Sequence, residues 1–333
     1  MIIKTRSYPR AALLGNPSDG YNGKTLAFPF SNFTAEVVLY ETPELEILPA
    51  KYDSNVFNSI RDLAEDVKLY GYYGGVRLLK AAVKTFYDYA IENGIDLDER
   101  NFTIRYSSNI PYRLGLAGSS AIITACIKAL KSFYGVNILK PVMANLVLSV
   151  EVDELDITAG LQDRVVQAFE SPVYMDFNKE LMDKQGYGKY QKFTSQLLDH
   201  LYIAYRTDLS EGSEVVHNDF RERYNFGDEK VHQAIKDWIQ LTDLGYKALK
   251  SNDLEELSKL INKNFDIRNS VMNLSSKNLQ MVELARSAGA SAKFSGSGGA
   301  IVGTYSDEAM FNSLKNKLQK HKITIIKPRI IQS

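Results

Sequence analysis

Residues 109–135, NIPYRLGLAGSSAIITACIKALKSFYG, constrain the fold more than any other stretch of the chain. Ahead of them Phe102, Ile104 and Tyr106 alternate with polar neighbours, which predicts a strand that Pro111 stops. A Gly/Ser loop follows. Ile122, Cys126, Ala129, Leu130 and Phe133 then recur at spacings of three and four, predicting a helix that Gly135 ends as a left-handed C′ residue. Strand, glycine loop and helix N-terminus together form an arrangement that holds a phosphate. The glycines let backbone approach the anion, several N–H groups point at it, and the helix dipole favours negative charge. Ser119 and Ser120 add hydroxyls, either to cap the helix or to hold a phosphate-bound magnesium. The same turn also serves an ordinary capped helix, so the loop alone leaves both readings open.

Overall charge does not help to choose. Forty basic side chains balance forty acidic ones. That removes any bulk attraction for nucleic acid or an anionic membrane and leaves a local basic pocket as the way to bind a phosphorylated ligand. At 333 residues the chain can form one large domain or two ordinary ones, and 44% hydrophobic with 24% charged residues is a globular composition. The N-terminal MIIKTRSYPR meets charge too early for a signal-peptide core, and no apolar run reaches the roughly 18 residues of a membrane span. The expectation is a cytoplasmic protein with no membrane partner. The single cysteine, Cys126, falls on the buried face of its helix. His200, His217, His232 and His321 are scattered away from any cysteine or acidic pair at ligand spacing, so no histidine metal site or Ser-His-Asp arrangement is expected.

Upstream, residues 11–14 read as a short strand running into the loop Gly15-Asn16-Pro17-Ser18-Asp19-Gly20. Gly23-Lys24-Thr25 invites a P-loop reading, which fails because that motif needs glycine where Ser18 stands. A tight turn between strands is the plain alternative. Residues 25–50 read as two strands of a hairpin or meander. Residues 55–93 read as helical with a break at 71–75, where Tyr70, Tyr72 and Tyr73 could pack or stack a ligand ring. Pro141 opens a further helix with a stripe of Val142, Met143, Leu146, Val147 and Val150. Glu151 continues that stripe, either as a buried acid with a partner or as a solvated helix end. Asp163 stands in the first turn of the next helix, where the dipole favours a carboxylate. Polar residues 178–198 mark a candidate domain boundary. Beyond it come a strand at 201–205, helices at 212–224, 229–250, 253–265 and 275–288, a glycine loop near 295–299 between two short strands, a helix at 309–320 and a strand at 323–327. Pattern alone predicts an α+β protein.

Three motifs carry a resemblance. Pro111-x-x-x-Gly115-Leu116-x-Gly118-Ser119-Ser120-Ala121 resembles the second signature of the GHMP kinases (galactokinase, homoserine kinase, mevalonate kinase, phosphomevalonate kinase), with Ala117 as one extra residue. Residues 10–23 are similar in register to the first signature, with Asn16-Pro17-Ser18 replacing its acidic-His-Thr stretch. Lys293-x-Ser295-Gly296-x-Gly298 is similar to the third. The form of the first two, and Gly160-Leu161-Gln162-Asp163-Arg164, resembles the glucuronokinase branch.

The resemblance implies the two-domain α+β GHMP kinase fold, with an N-terminal domain over residues 1–180 and a ferredoxin-like C-terminal domain over 198–333. It implies ATP as co-substrate with Mg²⁺. Gly115, Leu116, Ala117, Gly118, Ser119 and Ser120, with Gly296, Ser297 and Gly298, would hold ATP. Ser120 and Glu151 would hold the metal. Asn16 and Asp19 would line the acceptor site, Arg10 would lie near the transferring phosphate, and Asp163 would be the base or orienting group. Arg10 cannot be that base, because a guanidinium keeps its proton. The implied activity is phosphorylation of a sugar at its anomeric hydroxyl, with glucuronate or a related sugar as acceptor. Another hexose or a mevalonate-type acceptor is the alternative. A catalytically silent sensor of sugar and ATP would be expected to lack these residues. A uronate carboxylate calls for a basic partner, and Arg6, Lys24, Arg113 and Arg164 lie near the motifs. The implied partners are a small sugar or sugar acid and ATP, with the chain as monomer or homodimer.

Overall fold

The computed structural model describes residues 1–50, 53, 59, 74–206 and 214–332. The helix expected from residue 55 to the break, and Tyr70, Tyr72 and Tyr73, lie outside the described residues. In chain order the strands are β1 (Ile2–Ser7), β2 (Arg10–Leu14), β3 (Lys24–Pro29), β4 (Ala35–Thr42), β5 (Glu46–Ile47) and β6 (Asn101–Ser108). They continue with β7 (Val173–Asp176), β8 (Lys189–Lys192), β9 (Leu201–Tyr205), β10 (Lys293–Phe294), β11 (Ala300–Thr304) and β12 (Thr324–Ile326). The helices are α1 (Gly75–Glu92), α2 (Gly118–Phe133), α3 (Lys140–Ser149), α4 (Gln162–Phe169) and α5 (Lys179–Gln185). After them come α6 (Glu214–Asn225), α7 (Glu229–Ser251), α8 (Leu254–Val271), α9 (Ser276–Arg286) and α10 (Glu308–Gln319).

The chain packs into two compact units that interleave in sequence. One comprises Met1–Pro9, Phe33–Tyr112 and Ala117–Ala168; the other comprises Arg10–Asn32, Arg113–Leu116 and Phe169–Ser333. In the first, β1-β4-β6-β5 form a sheet, antiparallel except for the β5–β6 pair. Helix α2 packs on it. Ala121, Ile123, Ala125, Cys126, Ile127, Ala129 and Leu130 are all buried, so α2 is apolar nearly all round, as a central helix must be. Phe133 meets Phe102 edge-on at 5.4 Å between ring centroids. Burial pushes the Cys126 thiol up, in keeping with a core residue. Gly135 has φ +69°, the left-handed stop that the sequence predicts.

The second unit holds two antiparallel four-stranded sheets, β2-β3-β7-β8 and β10-β11-β9-β12. Two sequence expectations change here, one in strand pairing and one in the length of a helix. The strands read as a hairpin within residues 25–50 belong to different sheets, since β3 pairs with β2 and β7 whereas β4 pairs with β1 and β6. The burial explains it: β3 is buried continuously from Thr25, as a central strand covered on both faces, while β4 alternates more. Polar residues 178–198 contain α5, capped by Asn178, and β8, whose exposed pattern is that of an edge strand. Helix α8 runs to Val271, past the expected end at 265, and carries Arg268 into the interior. Around β9 and β11, Phe265, Met281, Phe294, Phe311 and Leu314 form a core in which each fully buried side chain contributes about 1.5–3 kcal/mol. No helix among the described residues is long and apolar enough to cross a membrane.

Candidate functional site

In the second unit two glycine segments meet backbone to backbone. Gly115 has φ +63°, and a Cβ there would come within 2.8 Å of the Ser297 nitrogen. A Cβ on Gly296 would lie 2.2 Å from the Gly115 carbonyl oxygen. Close packing of these loops is therefore a sufficient reason for both glycines. Arg10, buried at the start of β2, fastens the contact. Its Nη1 donates to Ser295 O at 2.6 Å and to Gly115 O at 3.2 Å, and its backbone N–H donates to Leu116 O at 3.1 Å. Asn16 is also buried. Its Nδ2 donates to Gly296 O at 3.4 Å, and its Oδ1 accepts from Lys293 Nζ. Asp19 is partly exposed in the 3₁₀ turn Ser18–Tyr21 that follows.

Gly118 differs from these. Among the described residues a Cβ there would meet only Ile110, at 3.5 Å, so their packing leaves room for a side chain. It opens α2 in the first unit, after Ala117 at φ 63° and ψ 45°. The extra residue of the signature thus takes a left-handed conformation, which costs a non-glycine residue roughly 1–2 kcal/mol. Ala117 at the N-cap makes no side-chain capping bond, and among the described residues no side chain caps this helix, so its first N–H groups remain suited to an anion.

Beside that helix start lies a compact polar cluster of the first unit. The chain after α3 makes a π-helical turn, Val150–Glu154, that carries Glu151 to 1% exposure. Glu151 Oε1 accepts from the exposed Ser119 hydroxyl at 2.7 Å. Glu151 Oε2 accepts from both Nε and Nη2 of Arg164, the Nε contact at 2.8 Å. Arg164 Nη1 donates to Gly160 O at 2.7 Å and lies 3.2 Å from Asp163 Oδ2. One guanidinium therefore ties together two carboxylates, Glu151 and Asp163, at the start of α4.

The sequence paired Glu151 with Ser120, and the structure does not. Ser120 is fully buried and its hydroxyl donates to Ala117 O at 3.2 Å, a bond within the helix start. The basic residues suggested for a carboxylate ligand are largely engaged. Arg164 holds Glu151, Lys24 donates to both oxygens of Asp243 at 2.9 and 3.1 Å, and Arg6 pairs with Glu36 at 2.8 Å. Arg113 is exposed. Sequence reading missed Arg268, because it lies past the expected helix end at 265, whereas the helix runs on to Val271 and buries it. It also did not foresee that Lys293 would be buried. No group of three or more His, Cys, Asp or Glu among the described residues is placed to hold a metal ion.

Residues 77–171 match the GHMP kinases N terminal domain, and residues 246–324 match the GHMP kinases C terminal domain. The Arabidopsis thaliana protein Probable glucuronokinase 2 is 44% identical over 308 residues, covering 90% of this chain and 84% of that protein. The chain belongs to the GHMP kinase family. Glucuronokinase 1 of the same plant is also 44% identical, over 306 residues, with 90% of this chain and 84% of that protein covered. The structure of Lactococcus lactis galactokinase with galactose superposes with a TM-score of 0.75, covering 100% of this chain and 94% of that one. At 16% identity this likeness is one of fold. The two-domain α+β fold implied by the motifs is thus the fold of the protein, and as a GHMP kinase it uses ATP as co-substrate.

Proposed function

We propose that this GHMP kinase transfers the terminal phosphoryl group of ATP to the anomeric hydroxyl of glucuronate or a related sugar acid. The observation that carries the acceptor is the 44% identity to two plant proteins named glucuronokinases, sustained over 90% of the chain. The uncapped start of α2 and the open space at Gly118 suit the nucleotide phosphates. Gly115, Leu116 and Ala117 shape the loop on one side of that helix start, and Ser119 and Ser120 form its first turn. Phosphoryl transfer asks the protein chiefly to position the reactants and to stabilise charge. Asp163, with its side chain 14% exposed and steadied by Arg164, accepts the hydroxyl proton or orients the hydroxyl. The proton moves from the sugar oxygen to Asp163, the oxygen bonds the phosphorus, and ADP leaves. Arg10 acts by fastening the two glycine segments.

The residues fit a magnesium ion held mainly by nucleotide phosphates, since such an ion takes only one or two protein oxygens. Ser119 and Glu151 present two oxygens 2.7 Å apart at an exposed hydroxyl, whereas the Ser120 hydroxyl is turned into its own helix. Ser119 and Glu151 would therefore hold it, and when bound it would neutralise phosphate charge.

ADP release measured over a panel of sugars and uronic acids tests the proposal, with ³¹P NMR locating the phosphate. Glucuronate should exceed glucose in kcat/KM by roughly tenfold or more, because a charge-assisted hydrogen bond contributes about 1.5–3 kcal/mol. Equal values would remove the acid group from recognition. Turnover of mevalonate or galactose alone would assign the enzyme to another branch of the family.

A further inference from the structure

The start of α2 suits the nucleotide phosphates, and the first unit holds a separate cavity at the other end of the same helix. Leu130 in the last turn of α2 and Tyr134 just beyond it line a space of about 360 Å³. Phe86 and Tyr87 of α1, Phe102 of β6 and Leu45 ahead of β5 line it with them. At a rise of 1.5 Å per residue, Leu130 stands about 18 Å along the helix from Gly118. The floor is deep: Phe102, Leu130 and Phe86 are 0%, 1% and 2% exposed. The Phe86 and Tyr134 rings lie nearly parallel with centroids 6.1 Å apart, and Phe102 meets Tyr134 edge-on at 6.3 Å. The Tyr134 hydroxyl donates to Arg100 O at 3.2 Å, so its polar end is already satisfied. Apolar and aromatic walls around roughly 300–1,000 Å³, with a few polar groups, are the usual make-up of a small-molecule site.

The polar groups come from one face of α1. Lys80, Val83, Lys84 and Tyr87 recur at spacings of three and four, and all four line the cavity. Lys84 is occupied, with its Nζ 3.0 Å from Asp88 and 2.7 Å from Glu154. Lys80, exposed one turn earlier, has no ion pair or hydrogen bond among the described residues, and neither has the Tyr87 hydroxyl. A lysine stem covers apolar surface while its ammonium stays in water at the rim. Among the described residues lining the cavity, the one charge left without a partner is therefore positive. The rim itself is small. Leu45 and Tyr87 are 49% and 55% exposed, with Ile91 at 60% one turn further along α1. Three side chains fall far short of the roughly 20–30 residues that each side of a stable protein interface contributes. The occupant that fits is a small molecule.

We propose that this cavity binds a small aryl carboxylate, with its aromatic ring among Phe86, Phe102 and Tyr134 and its acid group at the Lys80 ammonium. The ring takes the edge and face contacts that aromatic pairs favour, and the carboxylate stays at the wet rim, where little of its hydration is lost. A sugar would bring hydroxyls against walls that cannot pair them. The site does not depend on which acceptor the kinase uses.

The test uses the full chain and phenylpropionate, with neutral phenylpropanol and ring-free propionate as controls. Each is titrated by isothermal calorimetry with and without a saturating non-hydrolysable ATP analogue. Phenylpropionate should bind with a Kd of about 1 mM or tighter, the efficiency expected of a ligand this size. Propionate should show no binding, and the nucleotide should leave both results unchanged. Lys80→Met should weaken phenylpropionate roughly threefold, as an exposed ion pair allows, and leave phenylpropanol unchanged. Val83→Trp, which fills the cavity from a half-buried position on α1, should abolish binding of both ring compounds. If Val83→Trp does not fold, the contrast between acid and alcohol in Lys80→Met still decides. Equal affinities for acid and alcohol, no effect of Lys80→Met, or no binding in the millimolar range would each overturn the proposal. Displacement of phenylpropionate by the nucleotide would also overturn it, by placing the ligand at the phosphate end of α2.

Discussion

Replacing Arg164 by methionine removes the guanidinium that joins Glu151 to Asp163, and the structure indicates how large the effect should be. Arg164 and Glu151 have side chains 4% and 1% exposed, so water cannot take over the lost contacts. The Glu151 carboxylate loses two donors on Oε2, Nε at 2.8 Å and Nη2, and among the described residues keeps the Ser119 hydroxyl on Oε1. Gly160 O loses its donor as well. Breaking a buried pair by removing one partner costs about 3–5 kcal/mol, mostly through the charge left behind. At roughly 2–4 °C per kcal/mol the melting temperature should fall by roughly 6–20 °C. Thermal unfolding followed by circular dichroism measures this. The cause is isolated by the double variant Glu151→Gln with Arg164→Met, in which the deeply buried Glu151 carboxylate is no longer stranded and only the more exposed Asp163 loses its contact with Arg164. It should recover at least about 2 kcal/mol of the loss. A single variant within about 1 kcal/mol of wild type, or strictly additive effects, would refute the reasoning.

Asp163→Asn should fold normally and lose at least about two orders of magnitude in kcat; near-normal turnover would mean that another carboxylate serves the acceptor hydroxyl. Ser119→Ala should raise the magnesium concentration for half-maximal rate, and Ser120→Ala should change it by less than about twofold, because magnesium needs only one or two protein oxygens and Ser119 is the serine on Glu151. The reverse order in a magnesium titration would return the role to Ser120. Gly118→Ala should keep wild-type stability, since among the described residues its Cβ meets only Ile110, at 3.5 Å, yet bind ATP more weakly. Gly296→Ala should lose about 1–3 kcal/mol of stability by clashing with Gly115 O, and comparing chemical denaturation of the two variants checks the contrast. The depressed pKa of Lys293, buried beside Arg268 and Arg10, means that the unfolded chain binds the extra proton between the folded value and 10.5, so wild-type stability gains from this group as pH rises through that window. Lys293→Met should therefore gain more melting temperature relative to wild type at pH 7 than at pH 10. An equal difference at both values would show that this lysine stays charged in the folded state.

The local grammar of the chain was legible because it depends on near neighbours. The strand ending before Pro111, helix α2 stopped by Gly135, and Asp163 in the first turn of α4 follow from spacings of two, three and four residues that one segment carries by itself. The glycine-rich signatures were readable for the same reason, and their order along the chain pointed to the family. What only the tertiary structure decided involves partners distant in sequence. Whether β3 follows β4 into one sheet depends on which strands cover its two faces, and nothing within residues 25–50 states that. Ser119 and Ser120 are equivalent as letters, and only the folded helix start shows that Ser119 reaches Glu151 while Ser120 is buried on the Ala117 carbonyl. Arg164 reads as a basic residue free to meet a ligand until burial turns it onto Glu151. Gly296 reads as room for a phosphate, whereas a Cβ there is excluded by the carbonyl of Gly115. Periodicity records how a segment divides its own faces between core and water; it carries no information about which distant backbone or charge will occupy the space beside it.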